Sequence, residues 1–427
     1  MMAIMALNYL PKILVEEELL MSNDKSEDPI ASSKYTAKSE TERLFSVFEN
    51  FNKDAEETKL LSVEDTTSDR QPVLTMSSIG QLGRFGNQLF QYAFLRICAE
   101  KSGARVECPT WIGQTLFGHQ DSPISKRLSP AIELKDRDAE QSLFDVIPAF
   151  IPYLEKLADA KSVRVGSDAL DTGLANVDLW GFFQFHTRHL KPHQQYFRSL
   201  FQPVDGLKLA LDDGLKLLQS KGKTIVGIHL RRSDYLTEPR AGFTLVFPTK
   251  WYCEWIDGIW ADLTDPVLLL CSDDLGGIID DFAKFSPVTS RDLNIQLPVG
   301  MEDLDFYIDF YMLSQCDVVC SSNSNFSFVA CMLNQRAQIF VRPHWDFSSR
   351  FINFDPWDSN PVLYIGEPPK SLKSLPDIIS TTYATQGVWG MLKSVFIYVP
   401  ISIIKGWLLK AYLRYKVNGI IGAVGYL

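Results

Sequence analysis

Four apolar runs in the second half of the chain constrain its fold more than any other feature: KTIVGIHLRR (223–232), PVLLLCSDD (266–274), CDVVCSS (316–322) and AQIFVRP (337–343). Each is apolar at nearly every position rather than at alternate ones, which suits strands buried on both faces, and strands of that kind are parallel ones covered by helices. Helical stretches fall between them, notably Asp205 to Leu218, Lys250 to Trp260 and Asp303 to Leu313. The same alternation starts earlier. VLTMSSIG (73–80) is a short β-prone run that stops at glycines and leads into QLFQYAFLRICAEKSG (88–103), a helix ended by Gly103, after which ARVEC (104–108) reads as another strand. Strands alternating with helices imply parallel sheets whose ligands sit on loops beyond the strand carboxyl ends. No fixed-period repeat is present, which argues against a solenoid or propeller.

The chain has 427 residues, enough for two domains plus appendages. Its net charge of −10 opposes phosphate backbones over most of the surface and excludes a nucleic-acid partner, so an anionic small substrate requires a local basic pocket. The seven cysteines lack CxxC or Cys/His metal spacing and read as reduced thiols. Met1 to Leu10 is a short apolar stretch running into Glu16, Glu17 and Glu18, so no signal anchor is expected. The localisation that follows is cytoplasmic or peripheral on a membrane, with the Golgi as the alternative for a eukaryotic homologue whose anchor goes unrecognised.

The densest chemical signal is His229-Leu230-Arg231-Arg232-Ser233-Asp234-Tyr235, directly after the buried run TIVGI. A guanidinium keeps its charge and holds five fixed donors, so an Arg at a strand mouth can grip a diphosphate and neutralise it as it leaves a sugar. Successive strand residues point opposite ways, so one of Arg231 and Arg232 faces the ligand and the other anchors the loop; Arg231 is assigned to the phosphate. Asp234 and His229 beside it are the candidate bases. A second signal, Gly80 to Gln88, is a glycine-rich loop between strand and helix; it fits neither the dinucleotide fingerprint nor the Walker pattern, and Asn87 and Gln88 supply neutral groups suited to hydroxyls. A third is CSSNSNFS (320–327), where five small polar side chains in a row exceed what one helix cap needs. Asn323, Ser324, Asn325, Phe326 and Ser327 are therefore placed at phosphate or sugar. Asp273 and Asp274, after the run beginning at Pro266, are read as nucleoside contacts and helix caps in preference to a metal site.

Taken together, GRFGNQLFQYAF, GFFQ (181–184), HLRRSDY, FPTKWYCEWI, CSDD, EDLDFYIDFYMLSQCDVVCSSNSNFSFVACML and RPHWDF resemble the ordered motif set of the galactoside α-1,2-fucosyltransferases, glycosyltransferase family 11, from about Ile79 to Phe347. The resemblance implies an α/β fold of GT-B type, two Rossmann-like domains facing a cleft. It implies GDP-fucose as donor, a galactose-terminated glycan as acceptor, no cofactor and no obligatory metal. Arg231 would lie on the diphosphate, with Arg232, Asp234, Asn323, Ser324 and Ser327 around the donor. Gly86, Asn87, Gln88 and Gln184 would line the cleft on the acceptor side. Three positions depart from the family pattern: Ser233 stands where glycine is usual, Phe328 and Val329 replace a Trp pair, and Phe185 occupies a commonly polar position. The alternatives are another GDP-sugar transferase acting on a protein hydroxyl and a non-catalytic, membrane-attached sugar-binding module.

The expected organisation is a polar N-terminal extension (1–75), an acceptor-side Rossmann-like domain (76–219), a GDP-fucose-binding one (220–375) and a basic, hydrophobic C-terminal tail (376–427). After Asp377 the tail has no acidic residue, while Lys393, Lys405, Lys410, Arg414 and Lys416 punctuate an apolar background. That pattern reads as an interfacial segment in peripheral membrane contact, the alternative being a helical hairpin packed on the body.

Overall fold

The computed structural model describes residues 71–80, 82–133, 163–237, 246–343 and 351–363. The first sheet contains β1 (Val73–Thr75), β2 (Arg105–Glu107), β3 (Ser129–Glu133), β4 (Val163–Val165) and β5 (Val177–Trp180), in the order β2-β1-β5-β3-β4 with every neighbouring pair parallel. The second contains β6 (Thr224–Leu230), β7 (Pro266–Ser272), β8 (Val318–Cys320), β9 (Ile339–Pro343) and β10 (Phe351–Asn353), in the order β10-β9-β8-β6-β7. Only β10, at the edge, runs antiparallel to its neighbour. The two-sheet α/β architecture is the one the alternating pattern implies.

Strand order locates the site. From β6 the chain moves to β7 on one side and then crosses to β8 on the other, so a crevice opens beyond the carboxyl ends of β6 and β8. The first sheet reverses in the same way about β1, with β2 on one side and β5 on the other. The four loops at these reversals are the glycine-rich loop after β1, GFFQ after β5, HLRRSDY at the end of β6 and CSSNSNFS at the end of β8.

Packing explains why the runs in the second sheet are continuous. Ile225, Val267, Leu269, Cys271 and Val319 point into one apolar core, while Val226, Ile228, Leu230, Leu268, Leu270 and Val318 point into another. The first of these cores is shared with the first sheet: it runs from Leu74 and Leu179 to Met312, Phe328 and Met332 without a break. Its joint is α1 (Phe85–Ser102), so deeply set that 13 of its residues are buried, against α6 (Asn325–Leu333). The other helices used below are α2 (Asp205–Gln219), α3 (Ser233–Thr237), α4 (Thr249–Trp260) and α5 (Phe306–Leu313). Phe85 contacts the rings of Phe306, Tyr307, Phe310 and Phe326. A second tie lies at Thr187, whose N–H donates to the Ser359 carbonyl (3.0 Å) while its hydroxyl accepts from the Ser359 N–H (3.0 Å).

The three expected helices correspond to α2, α4 and α5; α5 starts at Phe306 because Asp305 caps it, its carboxylate accepting from the Phe306 N–H. β1 begins at Val73, inside the 1–75 span assigned to the extension. The rest of that extension, apart from Gln71 and Pro72, and the whole 376–427 tail lie outside the described residues. Among the described residues no helix is long and apolar enough to cross a membrane.

Candidate functional site

On the second sheet, the end of β6 carries a chain of ion pairs. Arg231 meets Asp234 (2.7 Å) and Asp273 (2.8 Å), and Arg232 meets Asp274 (3.1 Å). Asp273 also accepts from the Arg232 N–H (2.7 Å) and the Ser233 hydroxyl (2.6 Å). Burial works against its charge, but the Arg231 guanidinium, the Ser233 hydroxyl and the Arg232 N–H outweigh it and hold the Asp273 carboxyl below its ordinary range. Asp273 and Asp274 thus shape the arginine loop itself, a role the sequence reading did not give them. Among the described residues no cluster of three or more His, Cys, Asp or Glu could hold a metal ion. Ser233, where the family pattern has glycine, adds one more anchor to Asp273.

His229 lies one layer deeper. Its ring stacks on Phe326 (5.1 Å between centroids) and its Nδ1 is 2.8 Å from the Ser322 hydroxyl; burial, only partly offset by Asp273, pushes its pKa down to about 4. A ring that is 4% exposed and this weakly basic orders the loop and is poorly placed to take a proton from an acceptor. Of the two candidate bases, Asp234 is the accessible one, at 31% side-chain exposure.

The motif after β8 divides its work. Both ends of the Asn323 amide are spent on Leu363: its NH2 donates to the Leu363 carbonyl (2.8 Å) and its oxygen accepts from the Leu363 N–H (2.7 Å). Asn323, expected at the donor, thus braces the 351–363 segment with both ends of its amide. Ser327 is fully buried and donates to the Ser324 carbonyl (3.3 Å), so its hydroxyl too serves the turn. Ser324 precedes α6 without capping it by its side chain, leaving the helix amides at that end uncapped by the residue whose type predicts a cap.

The first sheet contributes neutral groups. Asn87 Oδ1 accepts from Gln184 Nε2 (2.8 Å) and from Asn325 Nδ2 (2.6 Å), so one side chain joins the glycine loop, GFFQ and the motif after β8. Gly86 makes this possible. A Cβ there would lie 2.5 Å from the Asn325 carbonyl carbon and the Phe326 nitrogen, so glycine lets the amino termini of α1 and α6 abut. Around this hub Gln88 Oε1, Gln184 Oε1 and Asn325 Oδ1 are buried and accept no hydrogen bond.

Residues that sequence reasoning missed hold these loops. Asp178 on β5 accepts from the Thr75 hydroxyl (2.7 Å), the Ser77 hydroxyl (2.6 Å) and N–H (2.9 Å), and Trp180 Nε1 (2.7 Å), fixing the start of the glycine loop. Glu133 accepts from the Phe182 N–H (2.7 Å), and Gln91 donates to the Gly181 (2.9 Å) and Leu82 (3.2 Å) carbonyls. Between these braces Phe183 is held at φ 52°, a left-handed conformation that a bulky residue adopts only under constraint. Phe185 is buried against Phe94 and Phe183, so this departure from the family pattern belongs to the core. Phe328 likewise stacks on Phe354 (5.6 Å) beneath the Arg342 guanidinium. A polar groove of about 400 Å³ beside β2, bordered by Arg96, Glu100, Arg105 and Asp121, shares no residue with these motifs.

A family model described as glycosyl transferase family 11 matches residues 66–355, more than half of the chain. No curated protein sequence matches. Among solved structures the chain is similar to fucosyltransferase NodZ from Bradyrhizobium, at 12% identity over 67% of this chain and 100% of that one, with a TM-score of 0.39. It is similar to a mutant of Arabidopsis thaliana FUT1 in complex with GDP, at 14% identity over 76% of this chain and 84% of that one, with a TM-score of 0.40. For POFUT1 in complex with GDP-fucose the figures are 14% identity, 65% and 99% coverage, and a TM-score of 0.38.

Proposed function

The chain belongs to glycosyl transferase family 11, and from that premise we propose that it moves L-fucose from GDP-fucose to the 2-hydroxyl of a galactoside with inversion at the anomeric carbon. The observation that carries this reading is Arg231, a guanidinium at the crevice where the second sheet reverses, 14% exposed and paired to Asp234 and Asp273. A departing diphosphate gains negative charge while the sugar becomes oxocarbenium-like, and a preorganised cation at that point lowers the barrier. The donor takes the second sheet, and the neutral amides about Asn87 take the acceptor. The acceptor oxygen attacks the anomeric carbon from the side opposite GDP, the bond to the β-phosphate oxygen breaks, and the hydroxyl proton passes to a base, for which Asp234 is the candidate.

The test is incubation of the purified protein with GDP-fucose and a panel of β-galactosides, with the linkage determined by NMR. Fucose on the galactose 2-hydroxyl is the expected product. Transfer to a folded protein domain and none to galactosides would replace this reading with that of a protein-modifying GDP-sugar transferase. Binding of sugars without transfer or hydrolysis of the donor would leave a sugar-binding module.

A further inference from the structure

Arg84, in the glycine-rich loop, has no role in the reading above, yet it reaches across the cleft: its Nη2 lies 3.2 Å from Asp234 Oδ2, while Asp234 Oδ1 lies 2.7 Å from Arg231 Nη2. One carboxylate is therefore shared by two guanidiniums that come from opposite sheets. We propose that Arg84 is a second guanidinium on the phosphates of the donor and that Asp234 holds its place until the nucleotide arrives. This inference rests on the donor reading of the site.

Three observations carry it. The first is stereochemical: carboxylate and phosphate both present paired oxygens to a guanidinium fork, so two arginines spaced to share one are spaced to share the other. The second is the field at that point. Gly86 and Asn325 bring the amino termini of α1 and α6 into contact, neither helix has an acidic residue in its first turn, and neither is capped by a side chain. Two positive helix ends meeting at one place favour an anion beside them.

The third is the charge balance of the cluster. Among the described residues Arg84, Arg231 and Arg232 face Asp234, Asp273 and Asp274, so an incoming diphosphate gains an arginine of this cluster when one carboxylate withdraws. Asp273 is fastened by the Arg232 N–H and the Ser233 hydroxyl and is 20% exposed, and Asp274 serves Arg232. Asp234, on the short α3 and 31% exposed, pairs with both Arg84 and Arg231, the arginines an anion would claim. Arg84, 46% exposed, has the room to follow the phosphate.

The experiment measures GDP and guanosine binding by calorimetric competition in the wild type, Arg84→Met, Arg84→Lys and Asp234→Asn, with urea midpoints as the control for folding. Arg84→Met is expected to weaken GDP roughly tenfold or more and to leave guanosine unchanged, because a charge-assisted contact to phosphate is lost and nothing else. Arg84→Lys recovers part of the loss. Asp234→Asn is expected to tighten GDP by about two- to fivefold, the worth of a partly exposed competing ion pair, an effect opposite in sign to damage of the fold. An equal loss for GDP and guanosine in Arg84→Met, or weaker GDP binding in Asp234→Asn, overturns the proposal. A wild type that does not prefer GDP to guanosine sinks the donor reading and this inference together. A wild type that does, matched by Arg84→Met, sinks only the inference.

Discussion

The two sides of the cleft are built from opposite materials. At the end of β6 the chain places three carboxylates and two arginines in direct contact, whereas the loops after β1 and β5 place Asn87, Gln88 and Gln184 around glycines, with Arg84 reaching out from them and buried oxygens left without a partner. Charge is expensive to keep near a core, and the arginine side meets that cost by pairing every arginine with a carboxylate. Neutral amides cost less and can be left partly unsatisfied, as the first side shows. The contrast matches what each partner in a sugar transfer demands: a leaving group that gains charge needs cations, and an incoming hydroxyl needs an acceptor that does not repel it.

The comparison breaks first at Arg231. Arg231→Ala is expected to lower turnover by two or more orders of magnitude in a radiolabelled-fucose transfer assay. Near-normal transfer would mean that the charged side only holds itself together. Next in size is the seam between the sides: Gly86→Ala drives a Cβ to 2.5 Å from the Asn325 carbonyl carbon, and a loss of about 3 kcal/mol in urea unfolding is expected. An unchanged midpoint would show that the two sides are not pressed together.

A third measurement probes the support beneath the charged side. Burial pushes the pKa of Asp309 on α5 up to about 6, a rise only partly offset by the Ser290 and Cys271 side chains. Because the folded value lies above the ordinary 3.8, the native state holds the proton more tightly than the unfolded chain, so this group's contribution is fully present below about pH 4 and is lost as pH rises through 6. Asp309→Asn is expected to gain about 2 kcal/mol over the wild type at pH 8 and to show no gain at pH 4. A gain of the same size at both pH values would put the effect in packing instead. The smallest effect sharpens the neutral side: Gln184→Leu is expected to raise the acceptor KM roughly fivefold, about one hydrogen bond, with GDP affinity unchanged. A matching loss of GDP affinity would erase the division between the sides.

The strands buried on both faces were legible because parallel pairing leaves no polar alternation to obscure them, and the arginine motif was legible because two adjacent cations beyond such a strand have few structural explanations. β3, β4 and β5 were not. Val163–Val165 is three residues long, Ser129–Glu133 opens on Ser-Pro, and Val177–Trp180 has Asp178 in its middle, so none carries a periodic signal. Asp178 and Asn323 illustrate the limit at the site. Sequence suggests that such residues bind something, but whether the partner is a ligand or the main chain depends on long-range contacts, 101 to 103 residues away for Ser77 and Thr75 and 40 for Leu363.

The aromatic collar about Phe85 bears on any attempt to exchange specificity by recombination. Because Phe85 is enclosed by Phe306, Tyr307, Phe310 and Phe326, a chimera that takes its acceptor half from a relative would seat a foreign plug in a native socket. Such grafts should be cut so that this ring and its four hosts travel as one inheritance, and the point of fusion belongs in the turn after α2 rather than between the plug and its socket.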